Sequence, residues 1–241
     1  AFGIVTAYFV FFCIGMLFLM RGNYLSGSFS LIESKKIIKT SVPLIPHLLA
    51  TLVIAMSDRI FIAEMIGMEM VGVYSAGYAF GMIVLLFTDA FSKAWGPWFF
   101  KQLSTSKDKA KEKIVTNSIL YMAGICILTI LVVQISLFIM PLMLAESYHS
   151  ASEFIVWVSI GYAIHGIYKL FFPYMVHVNK TILITFSTIV AAVVNIVFNY
   201  ILILEFGAIG AAYATILAFS VSSLMLVFFQ RKHYPMPWKL F

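Results

Sequence analysis

Charge is scarce in this sequence: Asp, Glu, Lys and Arg together make up 11% of its 241 residues, against roughly 25% in an ordinary soluble domain. Hydrophobic residues reach 62%, which excludes a water-soluble fold. Cysteine is rarer still. Cys13 and Cys126 both fall inside apolar runs, giving neither a disulfide framework nor metal-ligand spacing. There is no Gly-rich phosphate loop, no Ser/His/Asp set in polar surroundings and no Cys/His cluster, so an ATP-driven or enzymatic mechanism and a resident cofactor are not expected. A polar lead-in is also lacking. Ala1 opens directly into the apolar run Phe2 to Met20 with no charged n-region or small-residue cleavage site, so the run does not read as a signal peptide. The expectation is a fragment of a longer chain with further helices upstream.

What is present is long apolar runs. They lie at about 2–20, 42–63, 70–92, 114–140, 153–176, 181–204 and 207–229, each long enough to cross a hydrocarbon core of roughly 30 Å as a helix. Barrel strands would instead read as short alternating segments. Seven transmembrane helices and an all-α integral membrane fold are predicted, with the short 204–207 connection turning the last two helices into a tight antiparallel hairpin.

The net charge of +6 matters less than where it sits, and it gives no reason to expect nucleic acid. Arg21, Lys35, Lys36 and Lys39 follow the first run, and Lys93, Lys101, Lys107, Lys109, Lys111 and Lys113 follow the third. Lys180 follows the fifth, and Arg231, Lys232 and Lys239 the seventh. The opposite connections carry Glu64, Glu69, Glu146 and Glu205 and no lysine or arginine. By the positive-inside rule the basic side, with the carboxy terminus, is cytoplasmic. The long basic connections 21–41 and 94–113 are expected to be hinges or surface helices. In the second, Trp95 and Trp98 beside Lys93 and Lys101 have the composition of an interfacial anchor, with a substrate contact as the other reading.

Only Arg59 and Lys169 among the basic residues fall within spans, where insertion scales set a cost of roughly 2.5–3.5 kcal/mol. Both are site candidates. Arg59 is near a helix end and can also act as an anchor. Lys169 shares one helical face with Tyr162 and His165, a cationic stripe suited to a phosphate or carboxylate. Its other reading is a pairing with a carboxylate on a neighbouring helix. In the second helix His47, Thr51, Ile54 and Asp58 line up at spacings of four, three and four, and Asp58 next to Arg59 suggests a local ion pair. Pro43 and Pro46 at its start indicate either a bendable entrance or a simple helix start. Tyr74 and Tyr78, and Asn195 and Asn199, are i, i+4 polar pairs that need partners. Interhelical hydrogen bonding is the structural use of such asparagines.

The stretch 41–47, SVPLIPH, followed by MSDRIFI at 56–62 and VGVYSAGY at 71–78, resembles the second half of bacterial polysaccharide flippases of the Wzx type. AWGPW at 94–98, NIVFNY at 195–200 and GAIGAAYAT at 207–215 extend the resemblance over roughly residues 40 to 230. These motifs are shared with related exporters of the MATE-like MOP superfamily. One departure is Leu204-Glu205-Phe206, where the family often has a proline, which leaves that helix end less sharply defined.

The resemblance implies two helical lobes around a central cavity. Residues 1–20 would be the last helix of the amino-terminal lobe, 21–41 a cytoplasmic inter-lobe linker, 42–229 a six-helix carboxy-terminal lobe and 230–241 a cytoplasmic tail. It implies an undecaprenyl-diphosphate-linked oligosaccharide as substrate, as in O-antigen and other surface polysaccharide biosynthesis, and a bacterial inner-membrane location. The implied partners are membrane lipids, the amino-terminal half of the same transporter and the polysaccharide polymerase machinery. Lys169, His165 and Arg59 would offer positive charge, and His47, Asp58, Tyr74, Tyr78, Tyr162, Asn195 and Asn199 complete the substrate-contact set. A cation-coupled multidrug exporter is the alternative, one that would prefer acidic groups such as Asp58 and Asp89 in its cavity. A membrane-embedded polymerase or glycosyltransferase would be expected to show a larger extracytoplasmic loop than 141–152. A purely structural protein would leave His165 and Lys169 replaceable.

Overall fold

A computed structural model describes residues 2–24, 30–104 and 107–238, and the described chain is helical without strands. The helices are α1 (Phe2–Arg21), α2 (Leu31–Ser41), α3 (Leu44–Met65), α4 (Met68–Gly81), α5 (Ile83–Leu103), α6 (Lys107–Met143), α7 (Ser152–His177), α8 (Thr181–Phe206) and α9 (Ile209–His233), with a 3₁₀ segment, Glu146–Ala151, before α7. Six described helical stretches are long and apolar enough to cross a bilayer, or seven if the bent pair α4 and α5 forms one span. The predicted seven crossings are reached when that pair counts as one span, and the chain is a multi-pass membrane protein. Lys239 and residues 25–29, 105 and 106 lie outside the described residues.

Contacts divide the chain into Ala1–Lys39 and Thr40–Phe241. In the first unit α1 is largely apolar, and its described side chains are exposed apart from half-buried Cys13, as suits a helix whose solvent is lipid. Polar α2 carries Glu33 in its first turn and Lys39 in its last, each complementing the helix dipole.

In the second unit α7 packs against α4, α5, α6 and α9, while α8 pairs with α3 and α9. Glycine makes the α4–α7 contact possible. A Cβ on Gly77 would lie 2.9 Å from Phe154 Cβ, and one on Gly81 would lie 2.7 Å from Val158 Cβ, so only hydrogen lets the two backbones approach this closely. The predicted α8–α9 hairpin is present. Gly207 takes φ +66° and its N–H bonds the Ile203 carbonyl at 2.9 Å, ending α8 sharply without the family's proline.

Two expectations need correction. The third apolar run is not one straight helix, because α4 and α5 meet at a 41° bend around Met82. Nor is 94–113 mainly a connection: α5 continues through Pro97 to Leu103, and α6 begins at Lys107. The helix persists because Trp95 and Phe99 bury themselves against α7, which outweighs the local Gly-Pro signal. Trp95 is not an interfacial anchor. It is 4% exposed, and its Nε1–H donates to the Leu170 carbonyl at 3.1 Å. At the start of α3, Pro43 and Pro46 occupy the helix entrance, and the Pro43 carbonyl accepts from the Thr185 hydroxyl of α8. That entrance is a fastened helix start.

Candidate functional site

The ten candidate residues fall into three groups. His47, His165 and Lys169 line one cavity of about 390 Å³ between α3, α5 and α7, together with Thr51, Asp89 and Tyr168. Its walls mix histidines, hydroxyls, one ion pair and aromatic faces. Lys169 Nζ pairs with Asp89 Oδ1 across the α5–α7 interface, so the lysine has the carboxylate partner that the pairing reading required. Its second bond is to Thr88 Oγ1 at 3.3 Å. The Thr88 hydroxyl sends its own proton to the Leu85 carbonyl at 2.9 Å, which leaves its lone pairs for the lysine.

On the opposite wall Thr188 organises two rings. Its hydroxyl donates to the Ile184 carbonyl at 3.0 Å, and its oxygen then accepts from Tyr168 O–H at 3.0 Å and from the His47 Nδ1 side at 2.8 Å. In that arrangement His47 Nε2 is left as an acceptor. His165 stacks on Tyr168 at 5.5 Å and on Phe219 at 4.5 Å, and its buried Nδ1 has no hydrogen-bond partner among the described residues. A stacked imidazole with a spare nitrogen beside a cavity is equipped to meet a polar ligand.

The second group is a buried knot. Asp58 accepts from Tyr74 O–H at 2.6 Å, from Asn199 Nδ2 at 3.1 Å and from Thr215 Oγ1 at 3.0 Å. Ser57 Oγ donates to Asn195 Oδ1 at 2.5 Å, and Asn195 Nδ2 donates to Thr215 Oγ1 at 3.2 Å. The asparagines thus serve interhelical bonding. The expected Asp58–Arg59 pair is replaced by separate partners, since neighbours on a helix point about 100° apart. Arg59 donates to Ser75 Oγ at 3.2 Å and to the Ala55 carbonyl at 3.0 Å, and lies 4.5 Å over the Tyr78 ring.

The third group is the hydroxyl pair of Tyr78 and Tyr162, linking α4 to α7. Tyr162 therefore leaves the stripe it was expected to share with Lys169. The His47 to Asp58 stripe also divides: His47 and Thr51 reach the cavity, while Ile54 and Asp58 are buried.

A larger cleft of about 670 Å³ runs between α5 and α6, but Phe87, Phe91, Trp95, Trp98, Leu120 and Leu128 make its walls apolar. The polar chemistry lies in the smaller cavity, and we place the candidate site there.

A solved structure of a transporter from Pyrococcus furiosus Vc1 (DSM3638) superposes with a TM-score of 0.67 at 21% identity, covering 80% of this chain and 44% of that one. The chain shares the fold of that protein, which is described as a MOP superfamily transporter. A family profile described as "Polysaccharide biosynthesis protein" matches residues 1–103. The Haloferax volcanii protein named "Probable low-salt glycan biosynthesis flippase Agl15" is 25% identical over 156 residues, covering 64% of this chain. The chain spans 33% of that relative's length. These comparisons support the resemblance, read from the motifs, to a polysaccharide flippase of the MOP superfamily.

Cavity residues outside the predicted contact set include Asp89, Ser92, Tyr168, Phe172 and Thr51, the last already placed in the His47 stripe. Asp89 had a signal, being an acidic group inside a span. Tyr168 had a weaker one, three residues beyond His165 and beside Lys169. Nothing in the chain marked Phe172.

Proposed function

We propose that the complete transporter flips an undecaprenyl-diphosphate-linked oligosaccharide for surface polysaccharide biosynthesis, by alternating access of two rocking lobes around a midplane site. The observation that carries this reading is the polar cavity inside a bundle of membrane-spanning helices, with Lys169 set among His47, His165, Thr51 and the Tyr168 ring. Aromatic faces with hydroxyls and imidazoles suit sugar, and a lysine suits the diphosphate, while the prenyl tail stays in lipid. In this reading residues 1–20 close the amino-terminal lobe, 21–41 link the lobes, 42–229 form the carboxy-terminal lobe and 230–241 a cytoplasmic tail. The other partners are bilayer lipids, the amino-terminal lobe and the polymerase machinery, and the setting is a bacterial inner membrane with the carboxy terminus inside.

The test is translocation of a fluorescent undecaprenyl-diphosphate oligosaccharide in vesicles holding the full-length transporter. Movement by wild type that collapses in Lys169→Ala and His165→Ala is the expected result. A folded wild type that moves none of it overturns the substrate assignment.

One observation favours a second reading. Asp58 is a buried carboxylate whose hydrogen-bond partners, Tyr74, Asn199 and Thr215, are all neutral. In a cation-coupled exporter it would be the group that takes up the driving ion, and transport would then follow an imposed cation gradient and fail in Asp58→Asn.

A further inference from the structure

From the geometry around Lys169 we infer that Asp89 is an exchangeable counter-ion: it holds the place on Lys169 that the anionic group of the substrate takes during transport, and so moderates how tightly anionic, but not neutral, ligands are held. This rests on the proposed reading of the cavity and concerns how that site is regulated.

The two partners are not equivalent. The Lys169 side chain is 14% exposed and that of Asp89 46%. A half-buried ammonium in a membrane bundle needs a counter-charge at every stage of a transport cycle, because breaking such a pair and leaving the charge alone is strongly destabilising. Asp89, as the more solvated member, gives up less protein contact on leaving. It also lines the cavity together with Lys169, so a ligand phosphate entering there competes for the same Nζ.

Thr88 keeps the lysine in position meanwhile, because its hydroxyl oxygen accepts from Nζ independently of Asp89. Behind Thr88 the wall is rigid. Gly166 of α7 is crowded by the Tyr121 hydroxyl and by Thr88 itself, each within 2.8 Å of where a Cβ would stand. The cation is therefore fixed and the anion is the movable member. His47, His165 and Tyr168, the other titratable groups lining the cavity, supply no competing carboxylate.

An exchangeable counter-ion has two consequences. It weakens binding of the anionic ligand, since part of the attraction is spent displacing Asp89, and it speeds release, since Asp89 returns to the lysine as the ligand leaves. Neutral ligands feel neither effect.

The test uses the purified full-length transporter with farnesyl diphosphate as the anionic probe and farnesol as the neutral one. Asp89→Asn, which keeps the shape and removes the charge, is expected to tighten farnesyl diphosphate about tenfold, which corresponds to about 1.4 kcal/mol. Farnesol affinity should stay unchanged and turnover in vesicles should fall. Asp89→Glu, which keeps the charge, should resemble wild type, and the Asp89→Asn effect should vanish when Lys169 is glutamine. Unchanged or weaker diphosphate binding by a folded Asp89→Asn overturns the inference, as does equal tightening of both probes.

The outcomes separate the two claims. If wild type and Lys169→Gln bind farnesyl diphosphate equally, the anion sits elsewhere and the counter-ion role is overturned, although an anionic lipid substrate survives. If no folded variant binds it, the substrate class proposed above falls as well.

Discussion

The side-chain amide of Asn199 donates to Asp58 Oδ1 at 3.1 Å, tying α8 to α3, and the Tyr74 and Thr215 hydroxyls complete the ring from α4 and α9. Four helices thus converge on one carboxylate. Bonds between membrane helices average about 0.6 kcal/mol each, and those to a charged group are stronger. Asp58→Ala leaves the Tyr74 and Thr215 hydroxyls without an acceptor, while the Asn199 amide keeps Ser57 Oγ at 3.3 Å and Asn195 Oδ1 at 3.1 Å, and it should lower stability by about 2–3 kcal/mol on those figures. Asn199→Ala removes a donor while Tyr74 and Thr215 still serve the carboxylate, so it should lower stability less. Thermal unfolding of the full-length transporter in detergent reads the difference, and equal midpoints for wild type and Asp58→Ala would refute it.

Close backbone approach gives a contrast between two glycines. A Cβ on Gly77 meets Phe154 Cβ at 2.9 Å, whereas one on Gly124 in α6 meets nothing within 4 Å. Gly77→Ala should therefore cost about 1–3 kcal/mol through overpacking. Gly124→Ala should be neutral or stabilising by up to about 1 kcal/mol through helix propensity. Side-by-side melts of the two variants check both signs, and a destabilising Gly124→Ala would count against open space beside Gly124 in the α5–α6 cleft.

Much of the fold was legible because lipid imposes simple rules. A span must be long and apolar, and each of the seven runs has a helical counterpart, Gly207 marking the last turn. A carboxylate partner for Lys169 was one of its two readings, and Asp89 supplies it, but the partners of Asp58 were not legible. Adjacency offered Arg59 to Asp58, but rotation about the helix sends the two side chains apart, and Asp58 finds Asn199 across 141 residues of sequence. The α5 extension was hidden for a different reason. Gly96-Pro97 reads as a break, while Phe91, Trp95 and Trp98 keep a helical spacing of four and three. That spacing is realised as a stack with ring centroids 5.4 Å and 4.9 Å apart.

The Tyr78 and Tyr162 hydroxyls bond each other between α4 and α7, and the Tyr78 ring also lies under the Arg59 guanidinium. Removing either hydroxyl breaks the same bond, so the two effects should not add. Tyr78→Phe and Tyr162→Phe should each cost about 1 kcal/mol, with the double variant costing little more than the larger single one. Phenylalanine retains the ring beneath Arg59, so the cycle isolates the hydroxyl bond. Additive losses would mean that each hydroxyl has a separate partner.

Trp95 and Trp98 sit three residues apart on α5 and should respond very differently. Trp95 is buried, stacks on Phe91 and Trp98, and bonds the Leu170 carbonyl of α7. Trp98 is only partly buried and lines the apolar α5–α6 cleft. Trp95→Ala removes a large buried ring at a helix contact and should cost about 3–5 kcal/mol. Trp98→Ala should cost less, because lipid can fill the space it vacates. Trp95→Phe keeps most of the packing and loses one hydrogen bond, for about 1 kcal/mol. Ranking the three by unfolding midpoint tests whether α5 is anchored through α7 rather than at the headgroup layer. If Trp98→Ala is the most damaging, the interfacial anchor is restored and the α5–α7 contact loses its structural role.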